Sequence, residues 1–187
     1  MRSDRHRLRE ASPVTDVTRA ALRDVLGRFA TGVTVISAGR VTPRGMTANS
    51  FTSVSLDPPM VLVCVSRRSA LHQAVIDNGS FTVSVLSAGQ EHVARYFADH
   101  GRPRGKDEFA DVRWWPAPRT GTPVLHGALG WLECELATAH EGGTHSIFLG
   151  SVLASGSESD AGALLFFGGG FHRPELGRAL TVSREAS

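Results

Sequence analysis

Residues 46–65 read MTANSFTSVSLDPPMVLVCV, and the fold is decided by this stretch. Met46–Leu56 is a strand of small and polar residues, and Asp57-Pro58-Pro59 ends it because proline cannot donate to a β-ladder. Met60–Val65 is a continuous apolar strand, a pattern expected of a strand buried on both faces. Further strand patterns lie on either side. Upstream, the 3.6-residue spacing of Val17, Ala21, Val25, Leu26 and Phe29 predicts a helix over Asp16–Ala30. Gly32 stops it, and a strand follows over Val33–Ile36, then a hairpin loop over Val41–Gly45.

Downstream, a helix is expected over Ser69–Asp77, a turn at Asn78-Gly79, and a strand over Phe81–Leu86 with Phe81, Val83 and Val85 on one face. Ser87-Ala-Gly-Gln90 has the form of a capping box and opens a helix to about Phe97. Residues 99–123 are rich in Gly, Pro and Arg and read as a long functional loop with one helical turn near Phe109. Three more strands follow, over Ala128–Ala139, Ser146–Ser155 and Leu164–Phe171. Many strands at hairpin spacing with few helices imply a mainly β antiparallel barrel or sandwich. A Rossmann sheet is excluded by the missing strand–helix alternation and by the lack of GxGxxG.

The 187 residues fit one domain, expected over 16–176, between a basic tail (1–15) and a polar tail (177–187). The net charge of +2 points to neither a nucleic-acid nor a membrane partner, and no stretch is long and apolar enough to span a bilayer. Cys64 and Cys134 sit inside apolar runs with no metal-ligand or CxxC spacing, so both are expected to be buried thiols of a cytoplasmic protein. His140 and His145 are five apart across two glycines, which breaks the zinc-protease pattern. No serine has nucleophile-elbow flanks.

Three segments are unusual for strands that only pack. Thr47-Ala48-Asn49-Ser50 leaves room for a flat ligand to approach the backbone, with amides and hydroxyls to bond its polar edge. The alternative is a strand with one wet face. Cys64-Val65-Ser66-Arg67-Arg68-Ser69 runs an apolar strand into hydroxyls, arginines and a helix start, which suits a phosphate, although a capped helix with solvated arginines has the same sequence. Gly142-Gly143-Thr144-His145 sets a histidine at a strand mouth, as a ligand-binding or a plain surface residue.

The order and wording of LGRFATGVTVIS, GMTANSFTSVSLDPPMVLVCVSRRS, FTVSVLSAGQ, GTPVL, LECELATAHEGGTHSIFLGSV and LLFFGGGFH closely resemble the short-chain flavin reductases. These are the reductase partners of two-component flavin-dependent monooxygenases. The resemblance covers residues 22–172. It implies a Greek-key split β-barrel of about six to seven antiparallel strands with a few peripheral helices, in a homodimer. It implies reduction of FAD, or FMN, by NADH, or NADPH, with the reduced flavin passed to a separate oxygenase. The other readings are a flavin-binding electron carrier without enzymatic activity and a barrel relative that holds haem.

The resemblance also implies roles by position. Thr47, Ala48, Asn49 and Ser50 would line the isoalloxazine and ribityl chain. Cys64, Val65, Ser66, Ser69, Ala70 and Leu71 would hold the ribityl and phosphate groups, with Arg67 beside them, and Phe97 and Ala98 would border the ring. His145 would position the nicotinamide nucleotide, not act as an acid, with Gly170, Phe171 and His172 beside it. Two positions depart from the family's usual pattern. Thr144 stands where an Asp is usual before the histidine, and Phe171 where a Tyr is common.

Overall fold

The computed structural model describes residues 17–174; the two tails expected at the chain ends lie outside them. In chain order the elements are α1 (Arg19–Gly27), β1 (Thr31–Gly32), β2 (Thr34–Ala38), β3 (Arg44–Ala48), β4 (Phe51–Leu56), β5 (Pro59–Ser66), α2 (Ala70–Asn78), β6 (Ser80–Val85) and α3 (Glu91–Ala98). Then come β7 (Trp114–Pro116), β8 (Pro123–Leu125), β9 (Gly130–Gly142), β10 (His145–Ser157), β11 (Leu165–Phe167) and β12 (Gly170–His172). The chain is mainly antiparallel β with peripheral helices, as its strand spacing implies.

Seven strands form one sheet in the order β3-β2-β6-β9-β10-β5-β4. Its two edge strands, β3 and β4, are consecutive in sequence and joined only by Asn49-Ser50. The sheet must therefore curl until its edges meet, although no ladder closes it into a barrel. The single strand expected over Met46–Leu56 is two. Its first half pairs with β2 and its second with β5. Ser50 makes the break: its Oγ donates to the Cys64 carbonyl (2.9 Å) and accepts from the Cys64 N–H (3.2 Å), replacing the ladder there.

Two apolar layers hold the curl. On one face, Leu71 and Val75 of α2 pack with Ile36, Val61, Val63, Val65, Phe81 and Phe148. On the other, Val93, Ala94 and Phe97 of α3 pack with Val33, Val35, Phe109 and Leu125. α2 is bounded by Ser69, which caps the His72 N–H, and by Gly79 in the left-handed region at φ +62°. The box at Ser87–Gln90 forms as expected, but on a short 3₁₀ turn that leads into α3.

Several expectations are corrected. β5 alternates: Val61, Val63 and Val65 are buried while Met60, Leu62 and Cys64 are half-buried, because only one face meets the core. Cys64 is therefore not a buried thiol; Cys134 is. In residues 99–123 the helical turn expected near Phe109 forms, as a 3₁₀ turn over Gly105–Phe109, but the segment also holds β7 of the β7–β8 hairpin, with Trp114 opposite Leu125. Leu164–Phe171 is a hairpin of β11 and β12, turned by Gly168 (φ +58°) and Gly169 (φ +82°). Helix α1 is shorter than its apolar period and buries no residue, leaving Val25, Leu26 and Phe29 exposed. No helix among the described residues is long and apolar enough to cross a membrane.

Candidate functional site

β3 runs beside the last residues of β5 without pairing to them, since β4 takes over β5 only from Phe51 opposite Val63. A cavity of about 350 Å³ occupies this gap. Its walls are Gly45–Thr47 on one side, Ser66 and the start of α2 on the other, with Phe97, Ala98 and the 100–108 segment over them.

The β3 wall is an open sheet edge. Gly45 lies opposite Ser37, yet its N–H goes outward to Glu108 Oε1 (2.9 Å) and its C=O accepts from Arg102. Inward- and outward-facing residues alternate in an antiparallel ladder. Thr47, two residues on, thus turns its own N–H and C=O toward the cavity. Its hydroxyl is engaged elsewhere, donating to the Ala94 carbonyl at 2.7 Å and tying α3 to β3. The backbone of Thr47, not its side chain, is what a guest meets.

The opposite wall is the N-terminus of α2. Ser69 Oγ accepts the His72 N–H (3.1 Å) and donates to the Ser66 carbonyl (2.8 Å). The N–H groups of Ala70 and Leu71, the first two of the helix, are left to face an acceptor in the cavity. Arg68, Arg102 and Arg104 add positive charge around it. Beside this wall, burial and the Arg67 charge lower the His72 pKa below its usual value; its Nε2 meets Ser146 Oγ at 2.9 Å.

Glu108 is the single carboxylate lining the cavity and is almost fully buried. It accepts from the Gly45 N–H, from Arg102 Nη2 (2.9 Å) and Nε (3.3 Å), and from Arg44 Nη1 (3.3 Å). A buried carboxylate without such donors would be strongly destabilising. Neither Glu108 nor Arg102 stood out in the sequence, because both lie in a segment that reads as loop.

The structure thus brings Thr47, Ser66, Ser69, Ala70, Leu71, Phe97 and Ala98 to one cavity. Others fall outside it. Ala48 and Val65 are buried in the core, and Ser50 and Cys64 bind each other below the gap. Asn49 lines a second cavity, of about 630 Å³, with α1 and Phe166–Gly169. Arg67 turns away and pairs with Glu141 at 3.1 Å, while its neighbour Arg68 lines the cavity. His145 is exposed, opposite Ser66 in the ladder, with Nδ1 3.0 Å from Thr144 Oγ1. Gly170–His172 sit beyond α3, where Phe171 takes the Arg95 guanidinium over its ring at 5.1 Å. A single chain does not gather His145 and β12 into one cavity.

Comparison with known proteins shows the family. Residues 26–175 match the model of the flavin reductase like domain. The chain is 50% identical over 155 residues to an NADH-dependent FAD reductase of Streptomyces globisporus, covering 83% of this chain and 85% of that one. It is 36% identical over 148 residues to the reductase subunit of a flavin-dependent monooxygenase of Rhodococcus jostii, covering 79% and 73%. The solved NADH:FAD oxidoreductase SgcE6 of Streptomyces globisporus, in complex with NAD and FAD fragments, superposes with a TM-score of 0.81 at 44% identity, covering 95% of this chain and all of that one. The open β3 edge, the helix N-terminus facing it and these likenesses lead to one conclusion: the chain belongs to the flavin reductase like domain family.

Proposed function

We propose that this protein is an NADH-dependent flavin reductase that reduces FAD, or FMN, and supplies it to a partner flavin-dependent monooxygenase. The observation that carries this reading is the pairing of the free Thr47 edge with the N-terminus of α2 across one cavity. A flavin needs both: a donor and acceptor for the polar edge of a flat ring, and N–H groups for a phosphate. The residues present fit that shape.

When bound beside the flavin, NADH supplies the hydride. The protein's own part is placement. The Thr47 N–H presents a fixed donor to the edge where negative charge develops on reduction. Phe97 and Ala98, in the cavity lining, would border the ring, and Ser66, Ala70 and Leu71 would hold the phosphate end. His145, opposite Ser66 in the ladder, would position the nicotinamide nucleotide.

The curled sheet fits a Greek-key split barrel, the reading we give to the domain over 16–176. We assign the protein to the cytoplasm and to a homodimer. The exposed Val25, Leu26, Phe29 and Leu56 support the dimer, and so does the separation of His145 from Gly170–His172.

The test is a spectrum followed by an assay. The purified protein is expected to be colourless or faintly yellow and to oxidise NADH only when FAD or FMN is added. A yellow protein that ignores NADH would overturn the reading in favour of an electron carrier. A haem band would overturn it altogether.

A further inference from the structure

We infer that Glu108 controls release of reduced flavin by neutralising Arg102 at the wall of the flavin cavity. This rests on the flavin reading above. Arg102 is the cation built into that wall. Its guanidinium donates to the Gly45 carbonyl and to the Asp99 carbonyl (2.6 Å), and lies over the Phe97 ring at 5.7 Å. Gly45 is two residues from Thr47, about 7 Å along a strand, well within the range of an unscreened charge. Arg102 is also largely buried, with 14% of its side chain exposed, so solvent does little to weaken it.

At neutral pH the isoalloxazine ring is anionic when reduced and neutral when oxidised, while the phosphate charge is the same in both. A bare Arg102 beside the ring edge would therefore hold the product more tightly than the substrate. A reductase that gives its product to another enzyme works against itself if it does that. Glu108 lies 2.9 Å from Arg102 Nη2, is buried, and is the one carboxylate in the lining. Its charge faces Arg102 and Arg44 together. By contrast Arg68 and Arg104, at the rim, form no ion pair among the described residues. Of the three arginines that line the cavity, only the one over Phe97 is paired with a carboxylate among the described residues. Glu108 is thus a positioning residue by its bond to Gly45 and an electrostatic one by its charge.

The experiment measures the dissociation constants of oxidised FAD and of chemically reduced FAD, the latter without oxygen, for the full-length protein and its variants. Glu108→Gln keeps the size and an oxygen for the Gly45 N–H but removes the charge. It is expected to shift the ratio of the two constants about tenfold toward tighter reduced FAD, a rise of about 30 mV in the potential of bound flavin. Arg102→Gln is expected to shift the ratio the other way, and the double variant to return near the parent. A purely structural role predicts that both constants rise together in Glu108→Gln with their ratio unmoved, and that result overturns the inference. If Glu108→Gln does not fold, Arg102→Gln decides alone: an unmoved ratio overturns the inference. A parent protein that binds neither form of FAD overturns the flavin reading itself.

Discussion

The ring of Phe97 fills the space where a side chain on Gly45 would begin. A β-carbon there would overlap ring carbons Cε1 and Cδ1 and would meet Phe109 at 3.0 Å. The glycine lets α3 lie down on β3, and the cavity wall is the result. Gly45→Ala is expected to cost about 1–3 kcal/mol through overpacking and to raise the flavin dissociation constant at least tenfold. Chemical denaturation and a flavin titration check the two parts.

The two neighbouring arginines are expected to separate cleanly. Arg67 pairs with Glu141 on an exposed face, its side chain 47% accessible, and exposed pairs of this kind contribute about 0–1 kcal/mol. Arg67→Ala should therefore change stability by less than about 1 kcal/mol and flavin affinity by less than threefold. Arg68→Ala should weaken flavin binding about fivefold or more. Titrating both variants with FAD checks this, and the reverse order would move the phosphate site to the Glu141 side.

The thiols differ in kind. Burial, with help from the neighbouring Glu133 charge, pushes the Cys134 thiol up to about 12. Its folded value lies above its unfolded one, so its contribution to stability is whole below pH 9 and is lost as pH rises toward 12. At pH 8 a thiol-alkylating reagent should label the half-buried Cys64 and leave Cys134 until the protein unfolds. Mass spectrometry of the labelled peptides reads this directly.

His145 is tied by Nδ1 only to Thr144. His145→Ala is expected to raise the Michaelis constant for NADH about tenfold while the flavin constant moves little. Steady-state kinetics with NADH would show it; an unchanged Michaelis constant would remove His145 from the nicotinamide side.

Much of this was legible in the sequence because periodicity and caps are local. Ser69 and Gly79 bound α2 where they were expected to, and β6 and the β9–β10 hairpin followed from their patterns. The break at Asn49-Ser50 was not legible, since it depends on Ser50 meeting Cys64, a contact set by the curl of the whole sheet. Thr47 was singled out within a run of small residues that opens the backbone to a ligand, with amides and hydroxyls both on offer; α3 occupies its hydroxyl and leaves the backbone as the working part. Glu108 was missed for the same reason. A carboxylate in a Gly- and Arg-rich segment looks solvated until the fold encloses it with Gly45, Arg44 and Arg102.

The two-residue link between β3 and β4 makes the cavity a slot that is pinned at one end. Three Cα steps separate Ala48 from Phe51, so the two sheet edges can part by no more than about 11 Å there. At the far end, near Gly45 and the start of α2, no such tether exists. A guest lodged in the slot would reach from the β3 edge to Ser66 and the start of α2, two walls that no ladder joins. Occupancy and the closing of that gap would then be coupled, and the guest would serve as the rung the fold lacks there.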